Sequence, residues 1–231
     1  MQQFPRHLSE NKSIRRLATG ATAVLALLYW LSTAPARAQS PADGSWRITY
    51  IKEFPNSKPD YFAVVVESNG ETLYRTAPDD DRPLQFRLST ETTEQIFSLA
   101  RKLNLFREME LESKRRVAHM GAKTLSYEKG EESNQVRFNH TDVPEAVELR
   151  DLFERISQTQ QHALRLEYLM RFDRLGVVKE LLSLESNLDQ GRLAEPALLG
   201  PLLEKVQKDK SIVNVAQGRA AQILEKIQVG K

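Results

Sequence analysis

Cysteine is missing from all 231 residues. That single absence removes structural disulfides, thiolate metal sites, a thiol nucleophile and the lipid-bearing cysteine of bacterial lipoproteins. Equally missing are Gly-x-Ser-x-Gly, His-Glu-x-x-His, a phosphate-binding loop and a dinucleotide fingerprint. A basic excess disappears on inspection as well. The formal charge of +2 comes from 33 Lys and Arg against 31 Asp and Glu, but residues 1–38 hold five of the bases (Arg6, Lys12, Arg15, Arg16, Arg37) and one acid, Glu10. Residues 39–231 carry the other 28 bases and 30 acids, and nucleic acid loses its electrostatic case as a partner.

What is present begins with an export signal. The basic stretch to Arg16 is followed by the charge-free run Leu17 to Leu31, then Pro35 and the small-x-small triplet Ala36-Arg37-Ala38. Fifteen residues rise about 22 Å as a helix, short of a hydrocarbon core of about 30 Å, so cleavage after Ala38 is expected. Arg15-Arg16 lacks the bulky apolar pair of a twin-arginine signal, because Ala18-Thr19 stands there. The alternative is an uncleaved anchor over residues 17–31; either way the expected location is extracytoplasmic, periplasmic or secreted.

The expected division is a signal peptide at 1–38, a linker at 39–45, an α+β domain at 46–158 and a helical domain or cap at 159–231. Trp46, Ile48 and Tyr50 alternate with polar residues as a half-buried strand. Tyr61 to Glu67, Asn69-Gly70 and Thr72 to Arg75 predict a hairpin with a two-residue type I′ turn. Leu84, Phe86 and Leu88 continue the pattern, and a helix capped by Ser89 or Thr90 comes next, with Ile96, Leu99, Ala100 and Leu103 facing inward. Thr124 to Glu128 and Gln135 to Asn139 form a second hairpin around Lys129-Gly130, and Lys114-Arg115-Arg116 reads as a solvated loop. Asp142-Val143-Pro144-Glu145 has capping-box spacing, so a helix with Leu149, Leu152, Phe153 and Ile156 on one face starts there. The fold class is α+β: an antiparallel sheet of hairpins with two helices on one face, then an all-α segment. In that segment Leu164, Tyr168, Phe172, Leu175, Val178 and Leu182 keep helical spacing for about five turns. Leu199, Leu202, Leu203 and Val206 make a second helix, which Pro196 and Pro201 delay or kink, and Ile212, Ala216, Ala220, Ile223 and Ile227 a third.

On Val64 to Glu67, Asn69-Gly70, Tyr74, Leu88-Ser89 and Val143-Pro144, residues 46–159 resemble a module found in uncharacterised exported bacterial proteins, a likeness that implies a fold and no activity. Leu202 to Ile227, with Asp209, Ala221 and Leu224, is similar to one HEAT-type helix pair. A lone pair makes no solenoid and implies a helical cap.

Candidate chemistry is sparse. His140-Thr141-Asp142, with His119 elsewhere, could bind zinc or share a proton, although Asp142 is also the expected helix cap. Ser126-Tyr127-Glu128-Lys129 matches Ser-x-x-Lys, but inside a strand and without partner motifs. Asp79-Asp80-Asp81 lacks the spacing of a calcium loop, and Asn139-His140-Thr141 is a sequon that has no role in a bacterial-type export context. The primary expectation is therefore a non-catalytic binding or interaction module of the cell envelope, with no cofactor and no metal. Its partner is another envelope protein or an envelope ligand, with membrane contact only through residues 17–31. Its surface is sought at Trp46, Tyr50, Phe54 and Tyr61. The alternatives are a metal-dependent or acid/base hydrolase using His119, His140 and nearby acids, and a membrane-tethered structural protein.

Overall fold

The computed structural model describes residues 45–229. The signal peptide expected at 1–38, and the linker up to residue 44, lie outside the described residues. Six strands form one sheet: β1 (Trp46–Glu53), β2 (Tyr61–Glu67), β3 (Glu71–Arg75), β4 (Leu84–Arg87), β5 (Ala122–Lys129) and β6 (Glu132–Phe138). Their spatial order is β4-β3-β2-β1-β5-β6 with every neighbouring pair antiparallel. Side chains alternate across a strand, so Ile48, Tyr50, Val64, Val66, Tyr74, Leu125, Tyr127, Val136 and Phe138 share one buried face. Helices α1 (Thr90–Lys102) and α2 (Pro144–Phe172) supply the rest of that core through Ile96, Leu99, Ala100, Leu149, Leu152, Phe153 and Ile156. This is the expected α+β arrangement.

Local chemistry explains the entries and turns, with two corrections. The β2–β3 connection is a three-residue loop, Ser68 to Gly70, in which Gly70 alone takes a positive φ of 86° and its N–H donates to Glu67 O at 2.9 Å. A two-residue type I′ turn needs two left-handed residues; here the extra residue moves the bend and leaves the pairing Val66↔Thr72 intact. Ser89 caps α1 as expected, accepting from Thr92 N–H at 3.1 Å. Asp142 does not cap α2. The residue before Pro144 is Val143, which makes no side-chain cap, and the Asp142 carboxylate turns instead to Arg115 and Ser113. Between α1 and β5, Asn104, Leu105 and Phe106 wind one left-handed turn with φ of 49°, 51° and 64°. Such backbone costs about 1–2 kcal/mol per residue, and the burial of Phe106 and Leu111 offsets it.

Helix α2 is continuous for 29 residues, so the expected domain boundary at 158/159 falls inside it. The apolar cores do separate near that point. The second core joins Leu166 on α2 with α3 (Gly176–Asp189), α4 (Gly200–Lys208) and α5 (Asn214–Val229) through Val177, Leu181, Leu184, Leu203, Val206, Ala216, Ala220 and Ile223. The two halves are also stitched by polar contacts: Thr159 Oγ1 donates to Ala194 O at 2.7 Å, and Ser89 N–H and Oγ donate to the Glu195 carboxylate at 3.1 and 2.5 Å.

Candidate functional site

Of the residues singled out by sequence, His140 and Asp142 stay neighbours and His119 stands apart. His140 Nε2 lies 3.6 Å from Asp142 Oδ1, beyond hydrogen-bond reach. Asp142 is engaged by Arg115 and by Ser113 Oγ at 2.5 Å, and these hydrogen bonds, Arg115 first, hold its carboxyl below the ordinary range. His119 stands on an exposed loop, edge-on to Phe54 with ring centroids 6.0 Å apart. Among the described residues no group of three His, Cys, Asp or Glu side chains is poised for a metal.

The first-strand aromatics are not an open patch either. Tyr50 is fully buried: its ring stacks on Phe153 at 5.2 Å, and its hydroxyl donates to Glu154 Oε1 at 3.1 Å. Burial, and then the Glu154 charge, push the Tyr50 hydroxyl well above its ordinary value. Trp46 is half-covered by Tyr127 at 6.2 Å and by the Lys129 ammonium 4.2 Å from its ring centroid. Phe54 and Tyr61 are half-buried, and burial raises the Tyr61 hydroxyl too. Tyr50 thus leaves the candidate surface, because it lies on the strand face that α2 covers.

Two buried polar groups escaped the sequence reading. Lys123 on β5 aims its Nζ at three carbonyls, Asn139 O at 2.7 Å and Met120 O and Gly121 O at 3.0 Å. Three donors meet three acceptors, so the ammonium is fully used in closing the 112–121 loop. Burial, and then the Lys52 charge, lower its pKa. On α2, His162 Nδ1 lies 2.6 Å from Glu180 Oε1 on α3, while its Nε2 lies 2.9 Å from Asn187 Nδ2. The ring is thus held at both nitrogens by side chains of α3. Both ring nitrogens are occupied, so the pair pins α2 to α3 and leaves neither nitrogen free to move a proton for a substrate. A signal for His162 existed: it lies four residues before Leu166, on the stripe that is buried.

That stripe is the larger correction. Of the apolar series from Leu164 to Leu182, four members face solvent: Tyr168 is 60% exposed, Phe172 72%, Leu175 77% and Leu182 47%. The predicted five-turn helix is two helices, broken at Asp173, whose Oδ1 accepts the Gly176 N–H at 3.1 Å. The buried set is instead Leu166, Val177, Leu181 and Leu184. Tyr168 and Phe172 lie one helical turn apart with rings 5.0 Å apart, and Leu175 comes next at the turn. They form an apolar ridge with charged flanks: Arg165, Arg171, Arg174 and Lys179 are all exposed. Beside the ridge opens a cleft of about 460 Å³ lined by Lys58, Tyr74, Gln161, Arg165, Tyr168 and Glu180. At its floor Tyr74 Oη and Ser157 Oγ are 3.1 Å apart, and Gln161 Nε2 donates to that serine at 2.9 Å.

A comparison with protein-family models and with curated proteins finds no match to this chain.

Proposed function

We propose that this protein is exported to the cell envelope and works there as a non-catalytic binding module whose contact surface is the ridge Tyr168, Phe172 and Leu175. The observation that carries the reading is the exposure of three large apolar side chains, close in sequence, at the end of α2 and in the turn that follows, while the opposite side of that helix end packs into the second core through Leu166. Removing such groups from water is favourable, and a fold that leaves them together on its surface leaves that free energy available to a partner. Export rests on the charge-free run, Pro35 and Ala36-Arg37-Ala38.

The test has two arms. N-terminal sequencing of the protein recovered from the envelope fraction is expected to begin at Gln39; a retained Met1 replaces this reading with the tethered one. A photo-crosslinking residue at position 172, read in intact cells, is expected to give a defined adduct that the same residue at the exposed position Gln85 does not give. No adduct at 172 with any molecule refutes the ridge as the binding surface.

A further inference from the structure

We infer that the partner of this ridge is an anionic lipid surface, into which Tyr168, Phe172 and Leu175 insert while the surrounding arginines and lysine meet the headgroups. The inference rests on the proposed binding role of the ridge and names its ligand.

Charge selects this occupant. Around the ridge the outward cations are Arg165, Arg171, Arg174 and Lys179, and Lys58 joins them across the cleft. Arg171 and Lys179 have no ion-pair partner among the described residues. The neighbouring acids keep their charge but are fewer, with Asp173 and Glu167 exposed and Glu180 buried. Glu180 is buried against His162 with Arg165 Nε at 3.7 Å, and Asp173 accepts the N–H that opens α3. Glu167 is exposed, and the Asp209 carboxyl, lowered chiefly by its hydrogen bonds to Ser211, also feels the charge of Arg174. The chain after residue 38 carries 28 bases and 30 acids, so a basic tip stands on a slightly acidic body and turns that tip toward a negative surface.

Composition and shape agree. A Tyr, a Phe and a Leu with arginines beside them are the residue types that settle at a membrane interface, ring and methyl groups among the acyl chains and guanidinium groups at headgroup level. No described helix is long and apolar enough to cross a membrane, so the mode is shallow insertion of a helix end and turn. A second copy is a poorer occupant, because a two-fold contact centred on the ridge sets Arg171, Arg174 and Lys179 against their own images. Membrane contact through folded residues also goes beyond the anchor at 17–31 that the sequence suggests.

Since the chain has no cysteine, one introduced thiol can be labelled uniquely. The full chain as purified, carrying Leu175→Cys and an environment-sensitive fluorophore, is mixed with vesicles of equal parts phosphatidylglycerol and phosphatidylcholine, and separately with phosphatidylcholine alone. Expected is a blue shift on the anionic vesicles only, lost at high salt, and absent from a label at Gln85→Cys. Residues 17–31 are common to both labelled proteins, so insertion of that segment cannot produce a position-specific shift. Phe172→Asp in the labelled chain is expected to weaken partitioning on the order of tenfold or more. The surface variant Arg171→Glu/Arg174→Glu is expected to abolish the preference for anionic vesicles while its circular dichroism and melting stay unchanged.

An equal shift on both vesicles, or no shift on either, overturns the anionic-lipid assignment. So does concentration-dependent self-association that Phe172→Asp abolishes. If the label stays silent on vesicles while a crosslinker at position 172 still captures one envelope protein, the lipid is wrong and the ridge stands as a binding surface. If both fail, the binding role of the ridge falls with it.

Discussion

The two halves of α2 share one backbone and meet opposite fates. Over its first half, Leu149, Leu152, Phe153 and Ile156 vanish beneath the sheet; over its last turns Tyr168 and Phe172 stand in solvent. Both sets repeat at helical spacing and both are apolar. The difference comes from what each half packs against. The first half lies on a broad sheet that accepts a wide apolar face, whereas the second meets α3 along one edge, through Leu166 and the His162–Glu180 pair. Periodicity therefore reports that a helix has an apolar face, and the neighbour decides which face is covered.

The comparison is broken most directly by truncating one aromatic in each half. Phe153→Ala is expected to cost about 4 kcal/mol by urea unfolding, since it empties a packed site stacked on Tyr50. Phe172→Ala should stay within about 0.5 kcal/mol. Comparable losses at both positions would mean that the end of α2 is packed after all. The joint between the halves comes next. Glu180→Ala leaves the buried His162 Nδ1 without its partner and is expected to cost about 2–3 kcal/mol, with hydrogen exchange quickening in α3 ahead of the sheet. Loss of protection in the sheet first would mean that the two cores do not behave as separate units.

A smaller effect is expected in the sheet half. Lys123→Met removes the three-carbonyl clamp and should cost about 2 kcal/mol while leaving the 112–121 loop open to proteolysis. Unchanged cleavage kinetics would show that the loop is held without the lysine, by contacts such as those of Ser113 and Arg115 with Asp142. Smallest is a pH effect confined to the helical half. The hydrogen bond from Lys226, with Arg219 beside it, holds the Glu185 carboxyl below its ordinary value in the folded state. Its stabilisation is complete above the ordinary carboxylate range and is lost as pH falls through the lowered folded value. Glu185→Gln should therefore flatten the acid side of the melting profile, and a profile identical to the parent's would show that the pair contributes nothing.

Much of the fold was legible because it is written locally. Alternation announced β1 and β4, Asn69-Gly70 announced the first hairpin, Ser89 capped α1, and Pro144 opened α2. The failures occurred where two local solutions competed. Asp142 is suited to capping, yet a guanidinium from a loop 27 residues away is the stronger partner for its carboxylate. Tyr50 belongs to an aromatic cluster in sequence, but the face of its strand that carries it is the one α2 covers. His162 and Glu180 are 18 residues apart on different helices, and Lys123 finds its carbonyls on two separate stretches of chain, so neither arrangement leaves a motif.

The sequence by itself determined the strands, the starts of α1 and α2 and the hairpin pairings, because strand alternation, turn residues and helix entries act over a few residues. Only the tertiary structure decided which of two apolar stripes on α2 and α3 is core and which is surface. Both stripes satisfy the same helical period, and burial of one is settled by the partners that pack against it.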